Sequence, residues 1–320
     1  LKSGGWDPIL EVFKETDKEI GRIMDMAPSD SNFIVVSDHG FGPIEHIFNV
    51  NNWLYEKGYL AFKKTITTRF KRTLSDLGLN KKNLKPLGEK LYPLGKKLGI
   101  ITNTITDPLT NDKLDKLFLS YRDIDWSKTK AYSRSDIGHI RLNLSGREPK
   151  GNVDKNTSHA LKKEIISKLS TLTLPNSSKK LSKWIKTKEE IYKGPYLKEA
   201  PDILFNPLPN SVNGYGGVMF LSSNIFDTKL DPGHHRIEGL LMAKGPQVQS
   251  GNLSASIMDI APTLLNLFSL PIPEQMDGGV IKEIAPQDPK YARPNDFYKP
   301  YLENKEFDDS REKLENLGYL

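Results

Sequence analysis

The residues best suited to chemistry in this sequence are an aspartate and a histidine, Asp38 and His39, which follow each other directly. They come after a four-residue apolar run, 33–36, and two glycines follow at 40 and 42. Carboxylate oxygens and neutral imidazole nitrogens are both good zinc ligands. The chain has no cysteine, so any metal must be held by Asp, Glu and His. The pair is a candidate metal site, although, taken alone, it fits better with a capped turn and a satisfied loop histidine.

The elements around the pair predict how it would be positioned. The run 33–36 is rich in β-branched residues, which predicts a strand buried on both faces of a parallel sheet. Open α/β sheets bind their ligands at the carboxyl ends of such strands. Before it, the pattern predicts a helix from Trp6 to Met26 with Asp7 as N-cap and Pro8 at the first helical position. Helix, short loop and buried strand form one unit of a layered α/β fold.

Composition is that of an ordinary globular protein, with 37% hydrophobic and 27% charged residues in 320. There is no apolar run long enough to span a bilayer and no signal-peptide pattern, although the chain begins with Leu1. The net charge of +6 is local: residues 61–100 contain eleven Lys or Arg against two acids, or +9, which leaves −3 for the remainder. Such a segment could attract an anionic substrate, a membrane surface or nucleic acid. We favour a solvated surface insert, because no nucleic-acid motif accompanies the charge.

Three segments follow from these patterns. Residues 1–60 form a core α/β segment with the Asp-His motif, 61–122 a basic inserted cap, and 123–320 a second core segment with a carboxy-terminal tail. Within them we expect a short glycine-terminated helix at 51–58, a half-buried strand at 140–144, a short sheet strand at 200–205 and a buried strand at 239–243. Helices are expected around 161–169 and at 256–268.

Three stretches carry a resemblance to a known family: VVSDHGFGP (35–43), GHHRIEGLLMAKGP (233–246) and MDIAPTLLNLFSLPIPEQMDG (258–278). In this order they resemble the alkaline phosphatase superfamily, in its type I phosphodiesterase/nucleotide pyrophosphatase branch. The resemblance implies an α/β fold, a three-layer sandwich with a mostly parallel central sheet. That sheet would be incomplete at its amino-terminal side, leaving an unpaired apolar edge, and would carry the inserted cap.

The resemblance also implies a site with two divalent metal ions, zinc in preference to manganese. Asp38 and His39 match the pair that serves one metal, and His235, followed by Arg236, matches a late ligand of the second. Two such cations, roughly 3.5–4 Å apart, activate a hydroxyl nucleophile that forms a covalent phospho-enzyme. The family's Thr or Ser nucleophile is expected upstream of Leu1, so this chain alone should be inactive.

The implied function is metal-dependent hydrolysis of phosphodiester or nucleotide pyrophosphate bonds in small substrates, with no specific nucleic acid as partner. Alternatives are a phosphatase, sulfatase or phosphomutase on the same scaffold, or a degenerate member that acts as a binding module. His234 could replace His235 as the ligand. His46, His139 and His159 are most simply surface or strand-end residues, and Arg236 is expected to orient a carboxylate.

Overall fold

The first helix begins where its capping residues predict. In a computed structural model that describes residues 7–83, 116–134, 139–207, 212–215, 220, 222–228 and 233–293, the helix α1 spans Pro8–Met26. The Asp7 carboxylate accepts the backbone N–H groups of Ile9 and Leu10 at 3.0 and 3.3 Å, which satisfies two donors that have no partner inside the helix. The predicted N-cap is therefore confirmed.

Six α-helices and thirteen strands are described. The helices after α1 are α2 (Val50–Glu56), α3 (Ile66–Asp76), α4 (Lys155–Ser170), α5 (Lys188–Ile191) and α6 (Ile260–Leu267). The first seven strands are β1 (Phe33–Val36), β2 (Gly40–Pro43), β3 (His46–Asn49), β4 (Ala131–Tyr132), β5 (Arg141–Leu142), β6 (Ser182–Thr187) and β7 (Ile203–Pro207). The other six are β8 (Val212–Tyr215), β9 (Phe226–Asp227), β10 (Gly233–Arg236), β11 (Leu241–Lys244), β12 (Ile272–Pro273) and β13 (Tyr291–Ala292).

The strands form small sheets. In the described part of the chain the largest sheet has three strands in the order β8-β3-β9, with β3 parallel to β8 and antiparallel to β9. The pairs β1-β11, β4-β5 and β6-β7 are antiparallel, and β12-β13 is parallel. The chain is thus a mixed α/β protein, and the described strands do not assemble into one mostly parallel sheet.

The chain divides into two compact units. Unit 1 comprises Leu1–Gly40 and Glu238–Leu320, and unit 2 comprises Phe41–Ile237. The described part of the basic insert, 61–83 and 116–122, belongs to unit 2. The rest of the insert and the tail beyond 293 lie outside the described residues.

In unit 1 the strand β1 is present as predicted, but it is not buried on both faces. Its single strand neighbour among the described residues is β11, paired from Phe33 with Lys244 to Val36 with Leu241. Three of its four residues are half-buried and Val36 is exposed. The strand predicted as buried at 239–243 is likewise half-exposed, and α1 has no buried side chain. An apolar run therefore located the strand but not its degree of burial.

Unit 2 contains most of the apolar core. The central buried side chains include Phe48, Trp53, Leu54, Ile140, Leu142, Ile165, Leu169, Ile203 and Phe205. The predicted helix at 51–58 is confirmed as α2, followed by Gly58 in a left-handed conformation (φ +75°). The helix predicted around 161–169 is confirmed as α4, and the strand predicted at 200–205 is β7.

A buried ion cluster fixes β7 against β5 in unit 2. Asp202, just before β7, accepts two hydrogen bonds from the Arg147 guanidinium at 3.0 and 2.7 Å. It also accepts the backbone N–H of Leu142 at 2.8 Å, and Lys188 lies 3.3 Å away. Burial opposes ionisation of Asp202, but the hydrogen bonds and charges of Arg147 and its neighbours outweigh it and lower its pKa below the usual range. The carboxylate is therefore an ionised link between three segments.

Candidate functional site

Asp38 and His39 leave the end of β1 as an exposed pair in close contact. The Asp38 Oδ2 atom lies 3.3 Å from His39 Nε2. The other carboxylate oxygen, Oδ1, accepts the backbone N–H of His39 at 3.0 Å. The carboxylate is thus fixed by the backbone on one side and faces the imidazole on the other.

The second ring nitrogen of His39 determines which tautomer this arrangement favours. Nδ1 lies 3.0 Å from the carbonyl oxygen of Gly40. A carbonyl oxygen can only accept, so Nδ1 carries the proton and donates it. In the neutral imidazole, Nε2 then presents a lone pair towards the Asp38 carboxylate. Two electron-rich atoms at this distance repel each other unless a proton or a cation lies between them.

This arrangement meets the requirements for two ligands of one metal ion. Histidines that bind metals usually donate the other ring N–H to a carbonyl or carboxylate, as His39 does to Gly40. Zinc–ligand distances of about 2.0–2.2 Å and a tetrahedral angle place two ligand atoms roughly 3.3 Å apart. The observed 3.3 Å between Oδ2 and Nε2 agrees with that value. Within the described residues, however, no group of three or more Asp, Glu and His side chains is placed to hold a metal.

Ser37, which the sequence reasoning missed, positions this turn within unit 1. Its hydroxyl oxygen accepts the backbone N–H of Leu240 at 2.7 Å, and its own N–H donates to the Leu240 carbonyl at 2.9 Å. Gly239 permits this approach, because a Cβ there would lie 2.6 Å from the Ser37 hydroxyl oxygen. A polar residue directly between a strand and a candidate ligand is the only sequence signal for this role.

His235 lies on β10 in unit 2, where its ring packs against β2. The Phe41 ring meets the His235 ring edge to face, with centroids 6.2 Å apart and planes at 87°. The neighbouring His234 ring is 4.8 Å from it at 80°. His235 is exposed and His234 is half-buried. Exposure favours His235 over His234 as the residue that can reach a ligand.

Arg236 contacts the main chain of β2, the strand that pairs with β10. Its guanidinium donates to the carbonyl oxygen of Pro43 across the β2-β10 pair, where the sequence interpretation expected a carboxylate. The side chain passes directly over Gly42, where a Cβ would lie 2.6 Å from the arginine Nε. Arg236 therefore joins β10 to β2 and positions the strand that carries His235.

The other histidines do not join a metal group within the described residues. Burial lowers the pKa of His139, and the positive charge of Arg141 lowers it further, so this ring is held neutral. His46 starts β3 and its Nδ1 is buried without a hydrogen-bond partner. His159 is exposed on α4.

Comparison with known proteins identifies the family of the chain. The family model of type I phosphodiesterase / nucleotide pyrophosphatase matches residues 5–211, more than half of the chain. The curated proteins and the solved structures compared with the chain gave no match. Among the helices in the described residues, none has the length and apolar character needed to cross a membrane.

The structure is mixed α/β with an Asp-His pair after its first strand. The family match assigns the chain, at family level, to the phosphodiesterase/pyrophosphatase hydrolases. More specifically, the chain belongs to the type I phosphodiesterase/nucleotide pyrophosphatase family, as its motifs predicted. That family acts on small phosphodiester and nucleotide substrates and generally uses divalent metal ions.

Proposed function

We propose that the protein hydrolyses phosphodiester or nucleotide pyrophosphate bonds through a covalent phospho-enzyme, using two divalent cations, with zinc preferred over manganese. Asp38 and His39 would bind one cation and His235 the second. The observation that carries the proposal is the 3.3 Å approach of Asp38 Oδ2 to His39 Nε2, with His39 Nδ1 held by the Gly40 carbonyl. The architecture proposed with it is the three-layer sandwich with a mostly parallel central sheet.

The residues of this chain would bind the cations and orient the substrate. The hydroxyl that attacks phosphorus would come from elsewhere. When bound, the cations would polarise the phosphoryl oxygens and stabilise negative charge on the attacking and leaving oxygens. A Thr or Ser hydroxyl, expected upstream of Leu1, would form the new oxygen–phosphorus bond as the bond to the leaving oxygen breaks. Water would then cleave the phospho-enzyme and restore the hydroxyl. The Gly40 carbonyl would keep the proton of His39 on Nδ1 throughout.

Zinc binding by the chain as it stands tests the ligand assignment without requiring turnover. We expect Asp38→Asn and His39→Gln each to weaken zinc binding in equilibrium dialysis by more than about tenfold. His159→Gln makes the same chemical change on an exposed helix position and should leave binding unchanged. Equal zinc binding by wild type and both site variants would overturn the metal roles of Asp38 and His39.

Hydrolysis of a chromogenic phosphodiester, with zinc or manganese and a chelator control, tests the reaction. We expect no turnover from this chain alone and metal-dependent turnover from a longer chain that includes the preceding segment, lost in Asp38→Asn. Turnover by this chain alone would overturn the upstream position of the nucleophile. A longer chain that binds zinc but cleaves only phosphate monoesters or sulfate esters would overturn the assigned substrate class. One that binds zinc and cleaves none of these would favour a non-catalytic binding module.

A further inference from the structure

Helix α3, in unit 2, has its polar side inward and its apolar side outward. Its buried residues are Thr68, Lys71 and Ser75. Ile66, Phe70 and Leu77, by contrast, are 87%, 61% and 73% exposed. At 100° per residue these three apolar positions fall within about 40° of one another around the helix axis. They form a single outward stripe, which we call the α3 stripe.

A buried carboxylate explains this orientation. Asp123 accepts hydrogen bonds from the Lys71 ammonium at 3.0 and 3.3 Å and from the Thr68 hydroxyl at 3.1 Å. Both side chains of the Lys71–Asp123 pair are nearly inaccessible to solvent. An uncompensated charge in that position would be costly, so the ion pair determines which side of α3 faces the protein. The apolar side is thereby left at the surface.

The surface around the α3 stripe is positively charged. Lys63, Lys64 and Arg69 are all exposed, the first two just before the helix and the third beside Phe70. An apolar stripe on one helix, bordered by cations, is the pattern of helices that lie in the plane of an anionic bilayer surface.

We propose that α3 is a docking element for the surface of an anionic phospholipid bilayer. Ile66, Phe70 and Leu77 would enter the boundary between headgroups and acyl chains, and Lys63, Lys64 and Arg69 would contact lipid phosphates. Charge complementarity favours this occupant, because exposed Lys64 lies two residues before Ile66 and exposed Arg69 lies beside Phe70. With one short helix, binding would be reversible and would weaken as salt screens the charges. The proposal is independent of the metal site.

Co-sedimentation of the full chain with vesicles tests the proposal. We expect binding to phosphatidylcholine vesicles that contain phosphatidylglycerol, and little binding to phosphatidylcholine alone or at high salt. Ile66→Ser or Phe70→Ser should each lower the partition coefficient about tenfold, since each removes a large apolar side chain from the boundary between headgroups and acyl chains. Phe268→Ser is the matched control, because Phe268 is 74% exposed but lies in unit 1. It should bind as wild type does.

A tryptophan reporter distinguishes insertion from simple charge attraction. In Phe70→Trp, the emission should shift to shorter wavelength when anionic vesicles are added, and in Phe268→Trp it should not. No binding at low salt, equal binding to neutral vesicles, or unchanged binding of Ile66→Ser and Phe70→Ser would each overturn the proposal. Concentration-dependent dimerisation that Phe70→Ser abolishes, without vesicle binding, would assign the α3 stripe to a second copy of the chain and would also overturn it.

Discussion

Replacing Asp202 by asparagine should destabilise unit 2 strongly, because it removes the buried carboxylate that Arg147 and Lys188 share. The Asp202 side chain is 3% exposed, and it binds the Arg147 guanidinium through both oxygens and contacts Lys188. Asparagine has nearly the same shape and can still accept the Leu142 N–H. The substitution therefore tests the charge and leaves the packing nearly unchanged.

The expected loss of unfolding free energy is about 3–5 kcal/mol, the usual cost of leaving a buried ionic partner uncompensated. Lys188 loses its carboxylate partner. Arg147 keeps the Glu148 carboxylate and the Leu142 carbonyl, which limits the loss. Arg147→Met should be destabilising as well. The double variant should lose less unfolding free energy than the sum of the two single losses. In Asp202→Asn the Arg147 guanidinium has already lost the Asp202 carboxylate, so removing its charge costs less.

Urea unfolding followed by tryptophan fluorescence measures this loss, since three of the four tryptophans, Trp53, Trp126 and Trp184, lie in unit 2. Asp154→Asn is the matched control: it makes the same chemical change at the exposed N-cap of α4, where asparagine caps as well as aspartate. It should change stability by less than about 0.5 kcal/mol.

The stabilisation should also depend on pH in a defined direction. Because the pKa of Asp202 is lowered in the folded protein, its contribution is complete above the unfolded value of about 3.9 and is lost as the pH falls below it. The stability difference between wild type and Asp202→Asn should therefore narrow below about pH 4. Two results would refute the assignment of Asp202 as an ionised buried carboxylate. One is a loss of unfolding free energy under about 1 kcal/mol in Asp202→Asn at pH 7. The other is a stability difference between wild type and variant that does not narrow in acid.

Three further changes test other parts of the structure. Lys71→Met should destabilise unit 2 by about 3 kcal/mol or more in urea unfolding, because it leaves Asp123 buried without its cation, whereas exposed Lys64→Met should have almost no effect. Gly42→Ala should lower the free energy of unfolding by about 1–3 kcal/mol in thermal unfolding, since the new Cβ must displace Arg236. An unchanged free energy would show that the Arg236 side chain moves aside freely. Ser37→Ala should lower the free energy of unfolding by about 1 kcal/mol and should weaken zinc binding less than Asp38→Asn does. Unchanged stability and zinc binding would argue against a positioning role for Ser37.

Elements whose ends are decided by local chemistry could be predicted from the sequence. Asp7 and Pro8 specify the start of α1 through hydrogen bonds that form within three residues. Gly58 follows α2 with a backbone conformation that other residues rarely adopt. The family motifs pointed to the Asp38-His39 pair. Because the two residues are adjacent in sequence, their closeness does not depend on the fold. The tautomer of His39 could not be predicted, because it depends on how Gly40 turns its carbonyl.

Burial could not be predicted from apolar pattern, because it depends on which segments come to cover an element. The run at β1 has the composition of a doubly covered strand, yet Val36 is exposed and the described strand neighbour is β11 alone. The helical spacing of apolar residues in 256–268 predicts that Ile257 and Leu264 face inward, but both are exposed. The buried positions of α6 are Pro262, Thr263 and Asn266. Asn266 is buried because its amide donates to the carbonyls of Ala285 and Gln287.

The number of charges in the basic insert also does not predict which of its lysines are buried in ion pairs. Lys71 and Lys82 both come from the segment interpreted as a solvated insert, yet they pair with the buried carboxylates Asp123 and Asp227, 3.0 and 2.7 Å away. Burial works against the charge of Asp227, but hydrogen bonds from Lys82 and its polar neighbours lower its pKa. These two cations therefore hold the insert to unit 2. The Lys71–Asp123 pair also turns the apolar side of α3 to the surface, so this anchoring contact and the proposed docking face have one physical cause.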